Sequence, residues 1–294
     1  MNRPSPMSVF VQAMRPKTLG AAAAPVAVGA AVAHAGHGVR VLPLLAAFVG
    51  AMLLQIGCNF ANDYFDFENG ADTEDRLGPA RATQQGWVTP SQMKRWFTST
   101  FALLAPVAVY LVAVGGWPIA VIGVASIAAA ILYTGGPKPL GYLGLGDVMV
   151  FVFFGPIAVL GTAWVQGTAP TVTGALASVV PGLLSTAILV VNNQRDRVTD
   201  VHAGKRTLAV RFGSTFSKVE YVSCLALAFS IPLLVWALGA SPWVLLPMAA
   251  LPLALHLTRQ FLSLDGAALN PLLGGTARLL MVHSLLFSIG WVVG

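Results

Sequence analysis

Residues 41–75 read VLPLLAAFVGAMLLQIGCNFANDYFDFENGADTED. Residues 41–61 carry no charge, and about 20 apolar residues in a helix cross the roughly 30 Å hydrocarbon core of a bilayer. The run that follows holds six of the chain's eleven acidic residues, between Asp63 and Asp75. A span that runs straight into clustered carboxylates ends at the membrane edge in groups that need a polar partner there.

Apolar stretches of similar length recur along the chain, at 18–34, 96–114, 117–134, 147–166, 171–192, 219–239, 242–261 and 277–293. Only 10% of the residues are charged and 56% are hydrophobic, with a mean hydropathy of +0.75, whereas soluble domains carry about 25% charge. Lipid is therefore the main solvent. The expected fold is all-α, a polytopic bundle of about nine transmembrane helices forming one integral membrane domain over 1–294. Residues 8–14, apolar on one side and followed by Arg-Pro-Lys, suit a short interfacial helix. The Ala-rich run after Arg15 and Lys17 resembles a secretory signal, but eight further spans follow it, so it is read as a retained first helix.

The formal charge of +6 reflects membrane orientation rather than a nucleic-acid partner. With a cytosolic N-terminus, every Lys and Arg except Arg40 falls on the cytosolic side, as the positive-inside rule requires. Cys58 and Cys224 lie in apolar segments without metal or disulfide spacing. His34, His37, His202, His256 and His283 show no metal-ligand spacing with one another and are read as packing or solvated residues.

The acidic residues also gather on the cytosolic side. In the first long cytosolic connection Asn59, Asn62, Asp63 and Asp66 recur three or four apart, one stripe of a helix continued past the apolar span. In the second, NNQRDRVTDVHAGKRT at 192–207, Asn192, Asp196 and Asp200 recur every four residues. Each stripe alone is compatible with a solvated helix end and local ion pairs such as Asp196 with Arg197 or Asp200 with Lys205. Facing each other, the two would repel unless cations sat between them. Mg2+ is held in this way, by one or two carboxylates completed by water and substrate phosphates. Arg81, Lys138, Arg195, Lys205 and Arg206 are candidates for direct phosphate contact. GYLGLGD at 141–147 is Gly-rich but follows no strand, which excludes a nucleotide fold.

With these residues in view, the chain resembles the UbiA superfamily of intramembrane prenyltransferases, whose Asp-rich motifs take the forms NDxxD and DxxxD. They match Asn62-Asp63-x-x-Asp66, extended to Asp72, and Asn193-x-x-Asp196-x-x-x-Asp200. The commonest family form has a carboxylate where this chain has Gly70, and Asp72 takes that place. RPKTL at 15–19, GPARATQQG at 78–86, YTGGPKPLGYLGLGD at 133–147 and FFGPIAVLGTAWVQ at 153–166 resemble the branch that prenylates 1,4-dihydroxy-2-naphthoate for menaquinone synthesis in the inner (plasma) membrane.

The resemblance implies a polyprenyl diphosphate donor, an aromatic acceptor and Mg2+ held by Asp63, Asp66, Asp72, Asp196 and Asp200. Asn59, Asn62, Arg81, Tyr133, Lys138, Asn192, Asn193, Lys205 and Arg206 would bind substrate. Tyr64, Phe65, Tyr133, Phe153, Phe154 and Trp164 are candidates for contact with an allylic cation. Acceptors such as 4-hydroxybenzoate or homogentisate fit the shared motifs too. A secondary transporter would carry its ionisable groups near the bilayer midplane, not at one surface.

Overall fold

The computed structural model describes residues 4–71 and 76–294, the side chains of 35–37 excepted. All regular structure among them is helical. A short helix α1 (Pro6–Met14) precedes α2 (Pro16–His37), α3 (Val41–Glu68), α4 (Pro90–Gly115) and α5 (Trp117–Leu132). The next crossing is α6 (Gly146–Val152), a π-helical turn at Phe153–Ile157 and α7 (Ala158–Val165). Then come α8 (Val172–His202), α9 (Leu208–Ala237), α10 (Leu251–Ser263), preceded by a 3-10 segment, and α11 (Asn270–Val293).

Eight of the crossings are long and apolar enough to span a bilayer, and α5 is a ninth, shorter apolar helix, so all nine expected spans are present. Two of them run on well beyond the apolar stretches. α3 runs on to Glu68 and α8 to His202, because an α-helix keeps its own backbone bonds satisfied whether its side chains meet lipid or water.

α1 is capped by the Ser5 hydroxyl, which accepts from Ser8 N–H at 3.3 Å. It buries Val9 and Ala13 and leaves Met7 and Val11 exposed, and its Phe10 ring packs on Phe60 and Trp96. At the opposite end of the bundle Trp117, Trp164, Trp236 and Trp243 are exposed, where amphipathic rings mark a membrane–water interface.

The long helix α8 lies centrally, against α9, α6, α11 and α2. Ala177, Val180, Leu184, Ala187, Val190 and Val191 form its apolar face in the main core. Lipid is as apolar as the core, so tight crossings rather than the hydrophobic effect hold such helices together. At the π turn a Cβ on Gly155 would sit 2.8 Å from the Ser178 carbonyl oxygen and 3.0 Å from the Gly182 Cα, and one on Gly182 would sit 2.8 Å from the Phe151 carbonyl oxygen. The two glycines therefore let the π turn and α8 touch backbone to backbone.

Gly182→Ala should lower stability in detergent by about 1–3 kcal/mol, the usual cost of overpacking. Gly274→Ala, at a position with nothing within 4 Å of the added Cβ, serves as the control. Melting curves that coincide for the two variants would show that the crossing has slack.

Candidate active site

At the end of α3 the side chains of Asp63 and Asp66 are buried, each 2% exposed. A buried carboxylate needs hydrogen-bond donors or a cation. Asp63 obtains two backbone donors from the following connection, Ala82 N–H at 3.0 Å and Thr83 N–H at 3.1 Å. The same connection brings Arg81 back to Asp66, with Nη2 donating to Oδ2 at 2.7 Å. On its other oxygen Asp66 accepts from the Tyr142 hydroxyl at 2.6 Å and from Lys205 Nζ at 3.2 Å. Three distant parts of the chain thus converge on one carboxylate.

Lys205 belongs to the second acidic motif. Its backbone N–H closes the end of α8 on the Asp200 carbonyl at 2.8 Å, so its ammonium joins the ends of α8 and α3. Along α8, Asp196 and Asp200 are buried on one stripe, each 8% exposed. Arg195, 1% exposed, donates from Nε to Asp196 at 2.8 Å, from Nη2 to Asn192 Oδ1 at 2.8 Å and from Nη1 to Asn270 Oδ1 at 3.1 Å. Asn270 in turn donates to the Leu77 carbonyl at 2.9 Å. The guanidinium therefore ties α8 to α11 and to the first acidic connection. The Asp200 carboxylate has neither an ion pair nor a hydrogen bond among the described residues.

The turn after α5 closes the site. Thr134 Oγ1 donates to Asn62 Oδ1 at 2.8 Å, and its carbonyl accepts from Asn69 Nδ2 at 2.9 Å. Beyond Cys58, one helical turn before Asn62, an apolar cavity of about 510 Å3 opens between α2, α3, α4, α5 and the π-turn crossing. The end of the cavity toward the acidic motifs is formed by Gln55, Cys58 and Tyr133, and Phe153 and Phe154 contribute rings to its wall. This volume lies within the roughly 300–1,000 Å3 usual for ligand sites.

Several expected site residues gather here: Asp66, Arg81, Asp196, Asp200, Lys205, Asn62 and Asn192. Others sit differently. Asn59 donates to the Met14 carbonyl at 2.9 Å and to Thr18 Oγ1 at 3.0 Å, so its amide is engaged at the α1–α2 junction. Lys138 is exposed, without an ion pair among the described residues. The Arg206 side chain is exposed while its backbone N–H bonds the Tyr142 carbonyl. Asn193 is buried, and Asp72 lies outside the described residues. Asp196 pairs with Arg195 rather than Arg197, and Lys205 bonds Asp66 rather than Asp200. Of the aromatic candidates, Tyr133, Phe153 and Phe154 line the cavity. Tyr64 and Phe65 stack with Phe97 instead, and Trp164 donates to the Gly115 carbonyl at the far end of the bundle. Tyr142 joins them at the site, and the sequence marks it only as an aromatic ring inside a Gly-rich turn.

The fold that brings these helix ends together has counterparts among solved structures. A UbiA homolog from Aeropyrum pernix K1 superposes with a TM-score of 0.68 at 14% identity, covering 93% of this chain and 97% of that one. A UbiA homolog from Archaeoglobus fulgidus, bound to DMAPP and Mg2+, superposes with a TM-score of 0.65 at 12% identity, covering 95% and 99%. In sequence the chain is 38% identical to the 1,4-dihydroxy-2-naphthoate octaprenyltransferase of Escherichia coli, over 96% of this chain and 94% of that protein. It is 40% identical to the enzyme of the same name from Mycobacterium tuberculosis, over 94% of each. The model of the UbiA prenyltransferase family matches residues 22–270, and with relatives this similar along almost their whole length, the chain belongs to the UbiA prenyltransferase family.

Proposed function

We propose that the protein transfers a polyprenyl chain from its diphosphate to 1,4-dihydroxy-2-naphthoate, with loss of CO2 and pyrophosphate, to give demethylmenaquinol. The observation that carries the reading is the ion pair of Asp66 with Lys205, which joins the end of α3 to the end of α8 at Asp200, on a helix that also lines an apolar cavity. Such a site suits a ligand with a strongly anionic head and a long hydrocarbon tail. The acceptor follows from the curated relatives, whose shared name specifies dihydroxynaphthoate. The whole chain, 1–294, acts as one domain.

Charge supports a requirement for Mg2+. Among the described residues the four buried carboxylates Asp63, Asp66, Asp196 and Asp200 outnumber the three cations in ion pairs with this group, Arg81, Arg195 and Lys205. A net negative cluster repels a diphosphate on its own. Among the described residues no three His, Cys, Asp or Glu side chains converge into a closed metal cage. That donor set fits Mg2+, which keeps several waters and binds through one or two carboxylates plus substrate phosphates. Asp66, Asp196 and Asp200, with Asn62, are the residues that would hold it. When bound, the ion neutralises the departing pyrophosphate.

The chain's own residues do the rest. Lys205 and Arg81 supply donors to the diphosphate from positions beside Asp66. The apolar wall with Tyr133, Phe153 and Phe154 keeps water from the allylic carbon and offers ring faces to its positive charge. The electron-rich naphthalene ring attacks that carbon, and loss of its carboxylate as CO2 restores aromaticity. Asp63, with two backbone amides on its oxygens, holds the connection that carries Arg81.

Purified protein supplied with Mg2+, a long-chain prenyl diphosphate and dihydroxynaphthoate should yield prenylated product and CO2, with 4-hydroxybenzoate a poor substitute. Turnover of the benzoate alone would move the acceptor assignment to another branch. Asp66→Ala and Asp200→Ala should each cost more than the roughly 10–100-fold typical of outer-shell partners of a metal, and EDTA should abolish turnover. Full activity under either condition would remove the metal from the reading.

The same reading places the site on the cytosolic face of the plasma membrane, since nearly all Lys and Arg residues fall on that side. A periplasm-active reporter should work when fused after Gly294 and stay silent after Gly86 or Gly204. The opposite pattern would invert the orientation.

A further inference from the structure

The turn at residues 139–145 meets the reacting groups yet has no part in the Asp-rich motifs. It is clamped from two sides. Leu140 N–H donates to the Leu132 carbonyl and Gly141 N–H to the Tyr133 carbonyl, each at 2.9 Å, which anchors the turn to the end of α5. From the other side Arg206 N–H donates to the Tyr142 carbonyl at 2.8 Å, and Arg211 Nη2 donates to the Leu143 carbonyl at 2.8 Å. Gly144, at φ 74°, lies so close to this second clamp that a Cβ would stand 2.7 Å from the Arg206 carbonyl oxygen. The residue between these two anchors is Tyr142. Its hydroxyl donates to Asp66 Oδ1 at 2.6 Å, and the Lys205 ammonium stands 4.8 Å from the centre of its ring.

We infer that Tyr142 is a positioning residue that holds Asp66 through its hydroxyl and Lys205 through its ring, an inference that rests on the prenyl-transfer reading. Physically, a carboxylate with one oxygen held by Arg81 could still swing its other oxygen. A phenol donor on that oxygen fixes the plane of the carboxylate, and a charge-assisted bond of this length is among the stronger ones. The ring face does a separate job. It gives the flexible four-carbon stem of Lys205 a preferred resting place by cation–π attraction, next to Asp66 rather than out in solvent. One side chain on a doubly clamped turn thus sets the geometry of the acidic group from α3 and of the cation that follows α8.

The two functions separate by substitution, because Tyr142→Phe removes the hydroxyl and keeps the ring, while Tyr142→Leu removes both. Wild type and the two variants are purified as full chains. Each is assayed for kcat, KM for prenyl diphosphate and half-saturating Mg2+, and for thermal stabilisation by Mg2+ with inorganic pyrophosphate. The stabilisation is read as a shift from each protein's own unliganded melting point, so a variant of lowered stability still gives an answer. Tyr142→Phe should raise half-saturating Mg2+ by roughly tenfold, the scale of one charge-assisted hydrogen bond, and shift the pyrophosphate stabilisation midpoint in step. Its KM for prenyl diphosphate should stay near the wild-type value. Tyr142→Leu should add a rise of about 2–5-fold in that KM, the scale of an exposed cation–π contact. An active wild type beside a Tyr142→Phe protein with unchanged Mg2+ dependence and unchanged stabilisation by pyrophosphate would overturn the inference about Tyr142 alone. A wild type that shows neither Mg2+-dependent transfer nor stabilisation would overturn the prenyl-transfer reading beneath it.

Discussion

The carboxylate of Asp66 is the point on which the arrangement of the polar end of the bundle depends. It is buried, and a buried charge left unpaired costs several kcal/mol, about 3–5 when one partner is removed. Its three donors come from the connection after α3, the turn after α5 and the end of α8: Arg81, Tyr142 and Lys205. Satisfying one charge therefore fixes the relative placement of three segments that the apolar packing of the bundle would leave free to slide. The Arg195 guanidinium does the same for α8, α11 and Leu77, and a Cβ on Gly78 would come within 2.6 Å of it. The polar end of the bundle is thus held by charge pairing, and the membrane-embedded part by close contacts such as that of Gly155 with Gly182.

How much of this was legible in the sequence follows from the range over which each signal acts. The spans and their number came from composition over about twenty residues, and tertiary context does not override a signal that long. The stripes Asn62–Asp66 and Asn192–Asp196–Asp200 came from helical periodicity, which holds because both helices run on past the lipid. Pairing was a different matter. Asp66 meets Tyr142 across 76 positions and Lys205 across 139, and no local pattern encodes such a contact. The same limit explains Lys138 and Asn59. Each has the residue type and the neighbourhood of a ligand-binding group, but Lys138 stands on the exposed side of its turn, and Asn59 faces the Met14 carbonyl. The local pairs that a solvated helix end would allow, Asp196 with Arg197 and Asp200 with Lys205, do not form: Asp196 takes the neighbouring Arg195, and Lys205 reaches the more deeply buried carboxylate of Asp66.

Asp63 shows how one motif can divide its labour. Asp63 and Asp66 are three residues apart on one helix, and both are buried to the same extent. Two backbone N–H groups neutralise one, and three side chains neutralise the other. Backbone donors are fixed parts of the fold and are not released without moving the connection, whereas Arg81 and Lys205 reach Asp66 through side chains, whose bonds can turn without moving the backbone. A carboxylate held by side-chain cations is therefore able to change partners when an anionic substrate arrives with its metal, and one held by amides is not. This difference in partner type, rather than the spacing within the motif, separates the residue that holds the connection in place from the one that the proposed reaction would use in binding.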